Sequence, residues 1–246
     1  MVTLGQCSNP KRDFRHGKQI DPDKLNGLSL ELDRYLAHDY GIDPDKPRIF
    51  KSWRESHQPF HWFAEFYGVM REGGFDVVIG NPPWVEFAKV SGSYKPQGLQ
   101  TISCNNLWAF VVERSYQVLN PKGLLGLIVP MSLVCTERMK AIQDIASNVG
   151  KSWISNYESD SNPGQLFDGV KQNVSILVTR PSSHKEMQTT RLVRFFQPFR
   201  SYVFETLHFC SPGKFERIQF GIPKIGSADE RQLLAKSSWS GAPFHS

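Results

Sequence analysis

The chain has 246 residues, of which 39% are hydrophobic and 22% are charged, so it is long enough for one sizeable core or for one domain and the beginning of another. Its formal net charge of +5 and its pI near 9.0 permit an anionic partner such as nucleic acid, although a surplus of this size does not require one. Its four cysteines lack C-x-x-C spacing and it has no long apolar run, so we expect a cytoplasmic protein with reduced thiols, no metal site, no membrane span and no signal peptide.

The first 58 residues are predicted to form a helical lead-in with a structural role. Residues 1 to about 20 show little periodicity and are expected to be loose. Asp21 and Pro22 are typical of a helix start, and leucine and tyrosine recur at helical spacing until Gly41. A second helix is predicted from Asp43-Pro44 to about His57.

The segment that follows contains the most informative junction of the chain. Residues 75–80, Phe-Asp-Val-Val-Ile-Gly, form a short apolar run ending in glycine, which predicts an interior parallel strand. The carboxyl ends of such strands are where open α/β sheets bind ligands. The tetrapeptide Asn81-Pro82-Pro83-Trp84 is therefore predicted to lie at a ligand-binding edge.

The residue types of this tetrapeptide suit methyl transfer onto an amino nitrogen. An amine conjugated to an aromatic ring is a poor nucleophile, so catalysis benefits from acceptors placed against its N–H groups. Asn81 offers its side-chain carbonyl, and the rigid Pro82-Pro83 segment fixes the Pro82 backbone carbonyl as a second acceptor, while Trp84 offers a flat face for stacking. Single preorganised groups of this kind contribute roughly 3–4 kcal/mol in enzymes. The alternative is a proline-rich turn without a chemical role.

Asn-Pro-Pro followed by an aromatic residue resembles motif IV of amino-group methyltransferases that use S-adenosylmethionine, above all the adenine-N6 DNA methyltransferases of restriction-modification and phage-defence systems. Residues 59–66 and 73–76 resemble the lead-in to that motif in large methylases that fuse restriction and modification. The resemblance implies double-stranded DNA as a partner and direct methyl transfer to an adenine extruded from the duplex. The bare tetrapeptide is shared with methylases of protein glutamine and of RNA guanine, which remain alternatives.

Beyond the tetrapeptide, the pattern alternates between helix and strand. The predicted elements are a helix from Leu107 to Leu119, a strand from Gly123 to Val129, a helix capped by Thr136 and stopped by Gly150, and strands at 153–157 and 173–179. This order predicts an α/β fold, the C-terminal half of a Rossmann-like methyltransferase sheet whose last strand inserts antiparallel. We expect a partial methyltransferase domain at residues 59–181.

Further site residues are implied by the same resemblance. Phe167, between the last two predicted strands, corresponds to the motif VIII position whose aromatic ring stacks on the extruded base, and Lys171 is a candidate phosphate contact. Leu107 and Phe110 resemble the motif V residues that line the adenine pocket of the cofactor. Core packing accounts equally well for Phe167, Leu107 and Phe110, and a loop lysine is commonly just solvated.

The sequence lacks the cofactor half of such an enzyme. No glycine-rich turn precedes Phe75 or follows Pro181, so the half that binds S-adenosylmethionine is expected to be missing. Residues 182–246 are predicted to begin a target-recognition or linker region, in which basic residues among Phe195, Phe196, Phe199 and Tyr202 suit either DNA or an edge strand. Three hypotheses remain: a methylase that needs its remaining half or a nuclease or defence subunit, a glutamine or RNA methylase, and a non-catalytic nucleic-acid-binding remnant.

Overall fold

The computed structural model describes residues 2–5, 22–92, 95–159, 165–167, 170–213 and 221–237. Its strands are β1 (Val2–Gly5), β2 (Phe75–Gly80), β3 (Leu119–Pro130), β4 (Gly150–Tyr157), β5 (Val174–Pro181) and β6 (Glu186–Val193). Its α-helices are α1 (Pro22–Asp39), α2 (Pro47–His57), α3 (Trp62–Glu65), α4 (Tyr67–Arg71), α5 (Leu107–Val118), α6 (Ser132–Cys135), α7 (Lys140–Asn148) and α8 (Ala228–Ser237). Short 3₁₀ helices lie at Phe87–Lys89, Gln100–Cys104, Glu137–Met139 and Gln197–Tyr202.

The strands form one mixed sheet in the order β1-β2-β3-β5-β4-β6. β2 and β3 are parallel, β5 lies antiparallel between β3 and β4, and β6 is parallel to β4. The predicted alternation of strands and helices and the antiparallel insertion of the last strand are thereby confirmed. The β2 strand has the predicted bounds.

Two strands were not predicted. Val2–Gly5 pairs antiparallel with β2, so the expectation that the first residues are loose is wrong for this segment. β6 pairs with β4, which extends the sheet beyond Pro181 and across the proposed domain boundary at residue 181. The hypothesis of an edge strand through Phe195 and Tyr202 is wrong, because β6 ends at Val193 and Gln197–Tyr202 is a 3₁₀ helix.

Several predicted bounds shift by a few residues. α2 begins at Pro47 rather than at Asp43-Pro44, and Thr136 makes no side-chain cap because a 3₁₀ turn precedes α7. β4 starts at Gly150, which was predicted to stop the helix. At Gly150 a Cβ atom would lie 2.3 Å from the Ser182 backbone nitrogen, so β4 and the segment after β5 approach too closely for a side chain.

The two faces of the sheet differ in burial. The covered face carries fully buried side chains that are in register across the strands, namely Val78, Leu125, Leu127, Ile154 and Leu177. The open face carries partly exposed apolar side chains, namely Ile79, Leu124, Trp153 and Val178. The α5 and α7 helices pack on β3 and β4, and their contacts are with the covered face: Tyr116 of α5 bonds to Thr179 at 2.9 Å, and Ser152 bonds to the Ala146 carbonyl of α7 at 2.8 Å.

The helical lead-in is joined to the sheet through a buried acid and an aromatic group. Asp33 of α1 is 3% exposed and accepts from Arg54 of α2 at 2.6 Å and from His61 at 2.8 Å. Trp62 and Phe66 then pack edge-on against Phe75 at the start of β2. In the part of the chain that the structure describes, no helix is both long and apolar enough to cross a membrane.

Candidate active site

The predicted motif loop, residues 81–84, follows β2 at the carboxyl edge of the sheet. Pro130 at the end of β3 and Tyr157 at the end of β4 are both in register with Val174, the first residue of β5. The segment that leads into β5 therefore reaches the same edge as the motif loop. Because the strand ends meet there, side chains from separate parts of the chain can converge on one ligand.

The residues of the motif loop differ in exposure. Asn81 and Pro83 are exposed, Pro82 is buried, and Trp84 is partly buried. Trp84 packs against both the main core and a second cluster. Its Nε1 atom is buried and has no hydrogen-bond partner among the described residues. Asn81 is thus exposed at the surface, while Pro82 and Trp84 anchor the loop.

The second cluster, here called the edge cluster, consists of Tyr157, Leu166, Val174, Phe195 and Val203. Trp84 and Phe167 are both partly buried and both pack against it. The structure therefore brings the two predicted base-stacking residues to one apolar surface, although they come from segments more than eighty positions apart. Lys171 is exposed beyond this surface.

The electrostatic setting of the edge cluster is neutral. Burial raises the pKa of the Tyr157 hydroxyl, which donates to the Ser155 hydroxyl at 3.0 Å and stays protonated at neutral pH. Arg194 donates to the Glu158 carboxylate at 2.8 Å, so its charge is already paired. Across the described ranges, no group of three or more histidine, cysteine or acidic side chains could hold a metal ion.

The motif loop is joined to the start of α5 by backbone hydrogen bonds. Leu107 N–H donates to the Val85 carbonyl at 2.9 Å, and Glu86 forms an antiparallel bridge with Asn106. The Asn106 side chain accepts from Trp108 N–H at 3.4 Å as the N-cap of α5. This cap was not predicted, although an asparagine directly before an apolar helix is a recognisable capping signal.

Leu107 and Phe110, the predicted cofactor residues, lie on the first turn of α5 beside this joint. Leu107 is partly exposed, whereas Phe110 is 7% exposed and contacts the Phe87 ring edge-on at 5.4 Å. On the far side of β2 lies β1, which is antiparallel, so the described part contains no further parallel strand there that would end in a glycine-rich turn. Leu107 and Phe110 offer at most one wall of a nucleoside pocket. The described residues do not form the rest of a site for S-adenosylmethionine.

Several known proteins with similar sequence or structure are described as restriction-modification proteins. A Methanocaldococcus jannaschii protein with the provisional name type II restriction enzyme and methyltransferase RM.MjaORFECS2P is 33% identical over 88 residues, which are 36% of this chain and 7% of that protein. The chain thus spans less than a tenth of the length of this relative.

Two solved structures illustrate the structural similarity. The nuclease-deletion mutant of the Type ISP enzyme LlaGI, in complex with a DNA substrate mimic, has a TM-score of 0.46 at 13% identity over 61% of this chain and 18% of that one. A modification subunit from Vibrio vulnificus YJ016 has a TM-score of 0.41 at 12% identity over 67% of this chain and 40% of that one. Both TM-scores are below 0.5, so the family assignment rests on sequence.

A family model gives that assignment. The model of the Eco57I restriction-modification methylase matches residues 12–161, which is more than half of the chain and includes β2, the motif loop, α5, β3 and β4. The match agrees with the resemblance predicted from the motif loop and its lead-in. The chain therefore belongs to the Eco57I restriction-modification methylase family.

Proposed function

We propose that this chain carries the target-amine half of a DNA methyltransferase that acts on adenine N6 with S-adenosylmethionine as methyl donor. The observation that carries the proposal is the motif loop at the carboxyl end of β2, with Asn81 exposed above an anchored Pro82 and Trp84. The family assignment supports methyl transfer, and the acceptor geometry supports an amino nitrogen as its target.

In this proposal, each residue of the loop has a role in holding the amine. The Asn81 side-chain carbonyl and the Pro82 backbone carbonyl accept the two N6 hydrogens, and Pro83 keeps the segment rigid. Acceptors in this position favour a pyramidal nitrogen whose lone pair can attack the methyl group, and the N–H acceptors stabilise the positive charge that then develops. The N–C bond would form as the bond between the methyl carbon and the sulfonium sulfur breaks, which would leave S-adenosylhomocysteine, and the methylated amine would then release one proton to the solvent.

The edge cluster would receive the base. An adenine inside a duplex hides its amino group, so the nucleotide must leave the stack, and Trp84 and Phe167 would offset the lost stacking from the apolar surface that they share. The exposed Lys171 would contact a phosphate near the extruded nucleotide. The net charge of +5 suits double-stranded DNA as a partner.

The methyl donor would be held mainly by residues outside the described part of this chain. Leu107 and Phe110 would contribute one wall of its adenine pocket, beside the motif loop. The remaining half of the methylase, in the same or another polypeptide, and a nuclease or defence subunit are the proposed partners.

The proposal is tested by following the ¹⁵N resonances of the purified chain during titration with adenosine and, separately, with inosine. Inosine has the same size but carries an oxygen in place of the amine. We expect adenosine to shift the Asn81 side-chain amide and the Trp84 indole resonances, and inosine to bind at least about fivefold more weakly because it lacks the two donors. Equal responses to both nucleosides would contradict the proposal.

Two controls define the specificity of that response. Asn81→Ala should remove the preference for adenosine, whereas Asn120→Ala, at the opposite end of β3, should keep it. A glutamine-containing tripeptide tests the alternative acceptor. A response to this peptide without a response to adenosine would replace DNA adenine by protein glutamine as the substrate class.

A further inference from the structure

Asn105, which precedes α5, makes two contacts with the segment that leaves the motif loop. Its backbone carbonyl accepts from Phe87 N–H at 3.0 Å, and its side-chain Oδ1 accepts from Ala88 N–H at 3.0 Å. With the Val85–Leu107 hydrogen bond, these contacts fasten residues 85–88 to the start of α5. The motif loop is therefore held between the end of β2 and this joint.

The backbone of Asn105 adopts a conformation that few residue types tolerate. Its φ of 49° lies in the left-handed region, which side chains other than those of asparagine and aspartate rarely occupy. Glycine would adopt the same φ but has no side-chain acceptor. Asparagine and aspartate are therefore the residues that most readily combine this backbone with an acceptor for Ala88 N–H.

The position of Asn105 is itself fixed from the body of α5. Glu113, which is 3% exposed, accepts from Gln100 N–H at 2.9 Å, from Thr101 N–H at 2.9 Å and from the Thr101 hydroxyl at 2.7 Å. These bonds hold the 3₁₀ helix Gln100–Cys104, and Asn105 N–H closes that helix onto the Ile102 carbonyl at 3.0 Å. A rigid helix thus supports Asn105, which in turn supports the loop.

We propose that Asn105 is a positioning residue, which sets the place of Asn81 and Pro82 through residues 85–88. Asn105 makes its contacts with the backbone after the loop, so its effect on the target amine is indirect. The proposal rests on the proposed function only in naming the amine as the ligand that this positioning serves. Acceptors must be held to within a fraction of an ångström to discriminate between ligands, which is what such a support provides.

The test compares three substitutions by amide hydrogen exchange and by the adenosine and inosine titrations. Asn105→Gly keeps the left-handed backbone and removes the acceptor, Asn105→Asp keeps both, and Asn105→Ala removes both. In Asn105→Gly we expect exchange at Ala88 N–H to be roughly fivefold faster or more and the preference for adenosine over inosine to fall. Asn105→Asp should show the wild-type exchange rate at Ala88 and the wild-type preference for adenosine. Asn105→Ala should show the fastest exchange and the weakest preference.

The matched control is Asn120→Gly. Asn120 also accepts a backbone N–H through its side chain, from Lys122 at 2.9 Å, but it lies at the start of β3. Its substitution should speed exchange at Lys122 without changing the preference for adenosine. This control separates positioning of the loop from a general loss of stability.

The outcomes separate the two proposals. Unchanged exchange at Ala88 and an unchanged nucleoside preference in Asn105→Gly would overturn the positioning role of Asn105. Failure of Asn105→Asp to restore the preference would also overturn it. A wild-type chain that does not distinguish adenosine from inosine would overturn the proposed function, and exchange at Ala88 and Asn81 would then still decide whether Asn105 holds the loop.

Discussion

The covered face and the open face of the sheet belong to the same strands but have different roles. Consecutive leucines of β3 show this: Leu125 is fully buried beneath the helices, and Leu124 is partly exposed on the other side. Among the described residues, the open face is closed at its carboxyl end, where Ile128 and Ile176 pack against the edge cluster together with Trp84 and Phe167. Within the described part of the chain, the stability of the fold thus rests mainly on the covered face, whereas the candidate site lies at the closed carboxyl end of the open face.

The difference follows from the topology. The crossovers from β2 to β3 and from β3 to β4 contain α5 and α7, and both helices contact the covered face. A sheet of this type normally has helices on both faces. The open face is consequently the part of the sheet whose burial depends least on the described helices, and substitutions on the two faces should differ in effect.

The largest expected effect is that of Leu125→Ala on the covered face. Removing a fully buried leucine leaves a cavity and should lower the free energy of unfolding by about 2–5 kcal/mol. The measurement is urea denaturation followed by circular dichroism. A loss below that of Leu124→Ala would contradict the assignment of the covered face as the main core.

Leu124→Ala is the matched substitution on the open face of the same strand. Because Leu124 is already partly exposed, we expect its loss to lower the free energy of unfolding by only about 1 kcal/mol. The same denaturation experiment gives this value. If both substitutions lower the free energy of unfolding by the same amount, another element must cover the open face in solution.

Tyr116→Phe tests how α5 is attached to the covered face. Its hydroxyl bonds to Thr179, and the substitution should lower the free energy of unfolding by about 1 kcal/mol at neutral pH, since Thr179 keeps its 3.1 Å contact with Ser152. Burial raises the pKa of Tyr116 above its unfolded value of about 10. The folded state then holds the proton longer than the unfolded state does, so stability is present below about pH 10 and is lost as the pH rises above it.

The pH dependence gives the control for this substitution. Tyr116→Phe should lose stability less steeply than wild type between about pH 10 and 11, with Tyr157 accounting for part of the remaining slope because its pKa is also raised by burial. Urea denaturation at pH 7, 10 and 11 measures both slopes. Parallel slopes would show that the Tyr116 hydroxyl is solvated.

The smallest expected effect is that of Ile79→Thr. Ile79 is 54% exposed on the open face of β2, one residue before the end of the strand. Threonine keeps the β-branched shape, so the free energy of unfolding should change by no more than about 0.5–1 kcal/mol, and the response to adenosine should be unchanged. A loss of several kcal/mol would place Ile79 in an interface formed in solution.

The sequence predicted an element correctly where the pattern of residues within a segment determines the structure of that segment. The run of residues 75–80 predicted β2 with its bounds, and it placed the tetrapeptide at the carboxyl edge of the sheet, where the structure has it. The β-branched run from Val174 to Thr179 predicted β5, because these residue types favour strands. Each of these features depends on neighbours along the chain.

The features that were missed depend on distant partners. β6 contains Gln188, Thr189 and Thr190 in place of an alternating apolar pattern. Thr190 is buried, and its hydroxyl and its carbonyl accept from the Asn156 backbone N–H and side-chain amide, each at 3.0 Å. Pairing with β4 provides hydrogen-bond partners for these polar groups. The pattern of a single sequence cannot show such partners. The role proposed for Asn105 likewise depends on contacts with Phe87 and Ala88 that only the fold creates.

Our central proposal is that this chain supplies the acceptors for a target amine, while the methyl donor needs residues outside this chain. The most direct measurement is a calorimetric titration with S-adenosylmethionine on a sample that responds to adenosine, run beside methyl incorporation into mixed-sequence DNA. We expect no incorporated methyl group, and we expect heat only from the adenine amine of S-adenosylmethionine at the motif loop, so that Asn81→Ala should abolish it. Saturable heat that persists in Asn81→Ala, together with DNA methylated by the wild-type chain, would contradict this claim and would mean that a complete donor site exists within this chain.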